Sequence, residues 1–133
     1  MKTKRTILVI EDNEQNLYLA TFLLEQNGFK VIPARSGPEG IELAGRVQPD
    51  LIILDIQLPG MDGYAVARVL RQNPALKDLP IVAVTSYAMA GDRERTLEAG
   101  CNGYIEKPIN PDTFKSQIEN YLKARPAGRG DQP

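Results

Sequence analysis

The sequence predicts an α/β fold in which five parallel strands form one sheet covered by helices on both faces. Short apolar runs alternate along the chain with segments of helical character. The first run, at residues 7–10, is continuously apolar, as expected for a strand that is buried on both faces. Parallel strands must be joined by crossover connections, and these are almost always right-handed helices. The 133 residues are enough for one such domain and its core.

The five predicted strands differ in strength. The third apolar run is the strongest, because four aliphatic residues precede its terminal Asp55. The second is weaker and is expected at an edge of the sheet, because Pro33 lacks the N–H group that a central strand needs. The predicted strands cover residues 7–10, 30–34, 51–55, 81–85 and 104–106.

Helices are predicted after each strand from capping residues and turn signals. Asn13 and Ser36 can cap helix N-termini, and Pro111 suits the first turn of the last helix. The third helix is expected from Gly63 to about Gln72, and the fourth is expected to end at Gly100. The apolar face of the first helix is predicted to contain Leu17, Ala20, Phe22, Leu23 and Leu24, and that of the last helix Phe114, Ile118, Tyr121 and Leu122.

Composition excludes several classes of function. The formal net charge is -1, so the basic surface of a nucleic-acid-binding protein is not expected. No apolar stretch approaches the ~20 residues that would span a bilayer, so no membrane contact is expected. The single cysteine, Cys101, suits a reducing compartment, and we expect a cytoplasmic location. The absence of histidine excludes a phosphohistidine on this chain.

Charged and hydroxyl side chains stand where the predicted strands end. Glu11 and Asp12 follow the first strand, Asp55 ends the third, Thr85 ends the fourth, and Lys107 follows the fifth. The carboxyl ends of parallel strands share one edge of a sheet, where α/β proteins bind ligands. In a flavodoxin-like strand order, 2-1-3-4-5, the first and third strands are neighbours, so the three carboxylates would meet.

Three carboxylates in one place need a counter-charge. Two like charges about 4 Å apart repel by about 4 kcal/mol at an effective dielectric constant of ~20. Oxygen ligands alone favour Mg²⁺ over zinc. Asp12 and Asp55 are the expected direct ligands, with the backbone carbonyl of Gln57, and the longer Glu11 is expected to act through water.

Four motifs carry a resemblance to a known family. They are VIEDN at residues 9–13, LDIQLPGMDG at 54–63, AVT at 83–85 and GYIEKP at 103–108. With these motifs, nearly all of residues 6–122 resembles the receiver (response regulator) domain of two-component signalling, with its CheY-like fold. Residues 88–95 and 99–101 are similar to single-domain regulators of the DivK type and to receivers at the C-termini of hybrid kinases.

The resemblance implies a role for each residue of the strand-end cluster. It also implies a cis peptide bond before Pro108. Glu11 stands where many members of the family have aspartate, and glutamate is a common variant at that position. The implied roles are phosphoryl acceptor for Asp55, magnesium binding for Glu11, Asp12, Asp55 and the carbonyl of Gln57, phosphoryl contact for Thr85 and Lys107, and conformational switch for Thr85 and Tyr104.

We therefore expect a receiver domain over residues 1–124, followed by a disordered tail over 125–133. It would be a free-standing regulator that takes a phosphoryl group from a sensor histidine kinase or a histidine phosphotransfer protein, catalysing only its own phosphorylation and dephosphorylation. It would then signal to a downstream protein through its fourth helix, fifth strand and fifth helix.

Three other interpretations stay open at this point. The chain could be a receiver excised from a hybrid kinase or a phosphorelay intermediate. A magnesium-dependent phosphohydrolase of the haloacid dehalogenase type shares the acidic edge, but it needs an aspartate where this chain has Gln57. A flavin-binding electron carrier shares the topology, but its first loop should cradle phosphate, and Glu11, Asp12 and Glu14 would repel it.

Overall fold

The computed structural model describes residues 4–86 and 90–123, and the predicted tail at 125–133 lies outside them. Strands and helices alternate along the whole described chain. In the described residues, no helix is both long and apolar enough to cross a membrane. The elements are β1 (Thr6–Ile10), α1 (Glu14–Gln26), β2 (Lys30–Ala34), α2 (Gly37–Val47), β3 (Leu51–Asp55), α3 (Gly63–Gln72), a 3₁₀ turn (Pro74–Leu76), β4 (Ile81–Thr85), α4 (Ala90–Glu98), β5 (Gly103–Glu106) and α5 (Pro111–Lys123).

The five strands form one parallel sheet in the order β2-β1-β3-β4-β5. This order confirms the predicted α/β fold and places β2, with Pro33, at an edge. The strand register aligns the carboxyl ends, because Asp55 stands opposite Val84 and Thr85 stands opposite Glu106. The residues that follow the strands are therefore brought to one edge of the sheet.

Alternate residues of the central strands supply two cores, one on each face of the sheet. This is the consequence of continuous apolar strands, since successive side chains point to opposite faces. Helices α1 and α5 cover one face, and α2 and α3 cover the other. The first core includes Ile7, Val9, Leu51, Ile53, Leu24, Phe114 and Ile118, and the second includes Leu8, Ile10, Ile52, Leu54, Val66 and Leu70.

Capping side chains fix where the helices begin. The Asn13 side chain accepts a hydrogen bond from the backbone N–H of Asn16, and Ser36 accepts one from Glu39. Both predicted N-caps are thereby confirmed. Asp62 caps α3 in the same way, and α4 ends at Glu98, two residues before the predicted Gly100.

The prediction that Phe22 belongs to the buried face of α1 is wrong. Its side chain is 49% exposed and stacks on Tyr18, one helical turn earlier, with the ring centroids 6.3 Å apart. Leu17 and Leu24 are buried, and Phe22 is five residues from the first and two from the second, so it points away from the core.

Candidate functional site

The predicted acidic residues meet at the carboxyl edge of the sheet. Each of Glu11, Asp12 and Asp55 offers an oxygen, and these oxygens all lie within 4.8 Å of one another. Glu11 and Asp55 are buried, whereas Asp12 is exposed. The proximity follows from the topology, because β1 and β3 are neighbours in the sheet. The site therefore has two carboxylates in its floor and a third at its rim.

Lys107 bridges the two buried carboxylates. Its Nζ lies 3.2 Å from Glu11 Oε1 and 3.3 Å from Asp55 Oδ1. The Lys107 side chain is itself only 14% exposed, so water screens these contacts weakly. The backbone N–H of Lys107 donates to Thr85 O at 2.8 Å, which fixes the chain at this point. The peptide bond between Lys107 and Pro108 is cis, as the family resemblance implied.

Backbone donors orient both buried carboxylates. The N–H of Gln57 donates to Asp55 Oδ1 at 3.0 Å, and the N–H of Asn13 donates to Glu11 Oε2 at 3.2 Å. In each case the donor is two residues after the acid, so the bond forms where the chain turns out of the strand. The carboxylates are thereby fixed by the loops that follow β1 and β3.

The surroundings of Glu11 in the site shift its pKa. Burial, a hydrogen bond with Asp55 and the charge of Asp55 raise the pKa of Glu11 from 4.5 to about 7. The Asn13 N–H and the Lys107 ammonium act in the opposite direction but do not cancel this effect. One ammonium therefore does not offset the burial of Glu11 and the neighbouring charge of Asp55.

The donor set fits a magnesium ion. Three carboxylates supply hard oxygen ligands, and two of them are buried side by side. Among the described residues, Lys107 is the one cation that forms ion pairs with these two acids. Burial and the neighbouring Asp55 both raise the pKa of Glu11, and a divalent cation would counter both by favouring the charged carboxylate. Asp12, at the exposed rim, is the acid that an entering ion would reach first.

Gly63 brings α3 close to the loop after Asp55. A Cβ atom at this position would lie 2.5 Å from Ile56 Cα and 2.6 Å from Asp55 O, nearer than real side chains pack. The N–H of Gly63 also donates to Ile56 O at 2.9 Å. Only glycine permits this approach, which fixes the short loop between the acid and the helix.

Two further contacts at this edge were missed by the sequence analysis. The side-chain oxygen of Gln57 accepts a hydrogen bond from the Ser86 N–H at 3.2 Å, which ties the β3–α3 loop to the chain after β4. The guanidinium of Arg95 in α4 lies 4.4 Å from the ring centroid of Tyr64 in α3. Neither has a local sequence signal, because the partners are about 30 residues apart.

The predicted switch residues lie on neighbouring strands. Thr85 is buried at the end of β4, and Tyr104 is half-buried in β5, where it stands opposite Ala83. Tyr104 also lines an open cavity of about 350 Å³ between α4, β5 and α5. Other residues lining this cavity are Arg93, Leu97, Glu106, Gln117 and Tyr121. Tyr104 thus connects the strand beside the acidic site with an exposed groove.

Comparisons with known proteins agree with this geometry. Residues 7–119 match the family model of the response regulator receiver domain. The polar-differentiation response regulator DivK of Brucella ovis is 42% identical over 118 residues, which cover 89% of this chain and 96% of that protein.

Solved structures give the same result. The receiver domain of the sensor histidine kinase PA1611 from Pseudomonas aeruginosa has a magnesium ion coordinated in its active site cleft. It superimposes with a TM-score of 0.85 at 31% identity, covering 92% of this chain and 100% of that one. The chemotaxis protein CheY4 of Vibrio cholerae shares the fold with a TM-score of 0.86 at 24% identity, covering 90% and 99%.

Proposed function

Because the chain belongs to the response regulator receiver family, we propose that Asp55 accepts a phosphoryl group from a phosphohistidine of a partner protein in a magnesium-dependent reaction. One observation carries this proposal. Asp55 is buried at the end of β3, with Lys107 Nζ 3.3 Å from its carboxylate and two further acids within 4.8 Å. This arrangement supports the proposal, because it brings the proposed nucleophile, a buried cation and the proposed metal ligands together.

The transfer breaks one bond and forms one. A carboxylate oxygen of Asp55 attacks phosphorus in line with the bond to the imidazole nitrogen of the donor. The P–N bond breaks as the O–P bond forms, and the imidazole leaves with the bonding electron pair and takes a proton. The donor histidine lies outside this sequence, which contains none. Attack of water on the resulting acyl phosphate later returns the carboxylate and releases phosphate.

Each residue around Asp55 has its own proposed role in the transfer. Lys107 places its ammonium where charge develops on the transferring oxygens, and the Gln57 N–H keeps the Asp55 carboxylate oriented. Glu11, Asp12, Asp55 and the backbone carbonyl of Gln57 would hold the magnesium ion. When bound, that ion supplies positive charge that neutralises the phosphoryl oxygens and the attacking carboxylate. Thr85, buried at the neighbouring strand end, would donate its hydroxyl to a phosphoryl oxygen.

The proposed signal passes from Thr85 to the groove beside Tyr104. Movement of the Thr85 hydroxyl towards the phosphoryl group would free space into which the Tyr104 ring turns, changing the cavity between α4, β5 and α5. Taking an equilibrium from 1:99 to 99:1 requires about 5.5 kcal/mol of differential stabilisation. One hydroxyl contact and one ion pair give less, so we expect partial activation that a downstream protein completes.

We propose a free-standing regulator with no enzymatic activity beyond its own phosphorylation and dephosphorylation. The similarity to Brucella DivK supports this role, because the matched region covers 96% of that protein. A receiver within a hybrid kinase is the second candidate, and the similarity to the receiver domain of PA1611 favours it. Either context requires a kinase or phosphotransfer protein as the donor.

Phosphorylation by a small phosphodonor tests the proposal directly. Wild-type protein incubated with phosphoramidate and Mg²⁺ should gain one phosphoryl group by intact-mass analysis, and Asp55→Asn should gain none. Asp62→Asn is the matched control, because Asp62 is exposed and asparagine preserves its N-cap at α3. Equal labelling of the Asp55→Asn variant and the wild type would overturn the assignment.

A further inference from the structure

Helix α4 is packed on the domain more loosely than α5. Across residues 92–98, the part of α4 whose side chains are described, only Thr96 is buried, and Leu97 is 48% exposed. By contrast, α5 buries three large apolar side chains, those of Phe114, Ile118 and Leu122. Segments with few buried apolar contacts have low local stability. The position of α4 therefore depends on individual polar contacts more than on a hydrophobic face.

Arg71 of α3 anchors the C-terminal end of α4. It donates from Nε to Gly100 O, just beyond the helix, and from Nη2 to Asn102 Oδ1, each at 2.8 Å. The same guanidinium donates from Nη1 to Leu76 O at 2.9 Å. Because α4 runs back from the carboxyl edge of the sheet to the start of β5, this anchored end is the one farthest from Asp55.

Arg95 holds the middle of α4 against α3. Its guanidinium lies 4.4 Å from the centroid of the Tyr64 ring, within the range of a cation–π contact. Tyr64 is buried in the first turn of α3, next to Gly63, whose close approach to the loop after Asp55 fixes that turn. Arg95 is exposed, so it can leave the ring without becoming a buried unpaired charge. The contact therefore joins a fixed ring on α3 to a releasable cation on α4.

The groove beside Tyr104 lies on the opposite side of α4 from this contact. Arg93 and Leu97 of α4 line the groove. Each is two residues from Arg95, and two residues correspond to about 200° of rotation around a helix. Helix α4 therefore meets α3 with one side and the groove with the other. Movement of α4 into the groove would withdraw Arg95 from the Tyr64 ring.

We propose that the Arg95–Tyr64 contact is a latch that holds α4 in its unphosphorylated position and opens when Asp55 is phosphorylated. Inward turning of Tyr104 vacates space in the groove, and α4, anchored at its far end by Arg71, tilts into that space. The inference rests on the proposed function, since it assumes that phosphorylation moves Tyr104. The latch stabilises only the unphosphorylated state, so it lowers the affinity of the site for a phosphoryl group.

The Arg95→Met variant tests the latch, because methionine keeps an unbranched side chain and removes the charge. Opening the latch should tighten the Mg²⁺-dependent binding of beryllofluoride, a phosphoryl mimic, by about 2- to 5-fold. Loss of a positive charge alone would weaken the binding of an anion, so the sign of the change separates the latch from long-range electrostatics. Arg95→Lys keeps a cation and should lie between the wild type and Arg95→Met. Arg46→Met, at an exposed arginine of α2, is the control and should not tighten binding.

NMR spectroscopy of the Arg95 side chain gives a second measurement. The ring current of Tyr64 should shift the Arg95 side-chain protons upfield in the free wild type, because the guanidinium lies over the ring. This upfield shift should be lost when beryllofluoride and Mg²⁺ bind.

The outcomes separate the latch from the proposed function. Failure of the wild type to bind beryllofluoride with Mg²⁺ would overturn the proposed function. Binding by the wild type, with unchanged or weaker binding by Arg95→Met, would overturn the latch alone. An upfield shift of the Arg95 protons that persisted in the bound protein would likewise contradict the latch, because the contact would then be present in both states.

Discussion

Replacement of Glu11 by glutamine should remove most of the pH dependence of folding stability that the metal-free site creates. Glu11 is buried beside Asp55, and its pKa rises from 4.5 to about 7 on folding. The folded protein therefore holds the Glu11 proton more tightly than the unfolded chain does. This stabilisation is fully present below pH 4.5 and is lost as the pH rises through about 7.

The size of the effect follows from the shift. One pKa unit corresponds to about 1.4 kcal/mol, so the rise from 4.5 to about 7 amounts to roughly 3 kcal/mol in total. Between about pH 5 and about pH 8.5 the wild type should lose roughly 2.5 kcal/mol of unfolding free energy through this group. Glutamine cannot ionise, so the variant should lack this component.

Urea unfolding followed by circular dichroism, in EDTA and at a series of pH values, measures the difference. Glu25→Gln is the control, because Glu25 is an exposed glutamate of α1, and it should behave like the wild type. Parallel pH profiles for the wild type and the Glu11→Gln variant would contradict this prediction. They would mean that the Glu11 carboxyl does not change its proton affinity on folding.

Two further substitutions test packing around the site by urea unfolding. Gly63→Ala places a Cβ within 2.6 Å of Asp55 O and should lower the unfolding free energy by about 1–3 kcal/mol. Gly45→Ala is the control, because the nearest atom to its Cβ is 3.6 Å away, and it should raise the unfolding free energy by about 0.5–1 kcal/mol. Equal effects at the two glycines would show that the approach of α3 is not tight. Arg95→Met removes the cation that lies 4.4 Å from the centroid of the Tyr64 ring and should lower the unfolding free energy by about 0.5–1 kcal/mol. Arg95→Lys keeps a positive charge and should lose less stability. Equal losses in the two variants would exclude a cation–π contribution.

The fold could be predicted from sequence because its signals are local. Short apolar runs predicted the five strands, and capping residues such as Asn13 and Ser36 predicted the starts of α1 and α2. Local pattern was less informative about side-chain direction. Phe22 was assigned to the core for its hydrophobicity, although its spacing from Leu17 turns it outwards onto Tyr18. The 3₁₀ turn at Pro74–Leu76 was also not predicted.

The candidate site was predictable to the extent that strand topology determines it. Parallel strands with polar residues at their ends placed Glu11, Asp12 and Asp55 together, as the structure does. The pairing of Lys107 with both buried acids, and the bond from Gln57 to Ser86, depend on the register of separate strands. Such contacts join residues that are distant in sequence, so no periodicity or local motif predicts them.

The proposed function requires that Asp55 become an acyl phosphate. Borohydride reduction after treatment with phosphoramidate and Mg²⁺ converts a phosphorylated aspartate to homoserine, which peptide mass spectrometry locates in the sequence. We expect homoserine at position 55 in the presence of Mg²⁺ and none when EDTA replaces the metal. Homoserine at the exposed Asp12 or Asp62 with Asp55 unmodified, or the same yield at Asp55 in EDTA, would contradict it.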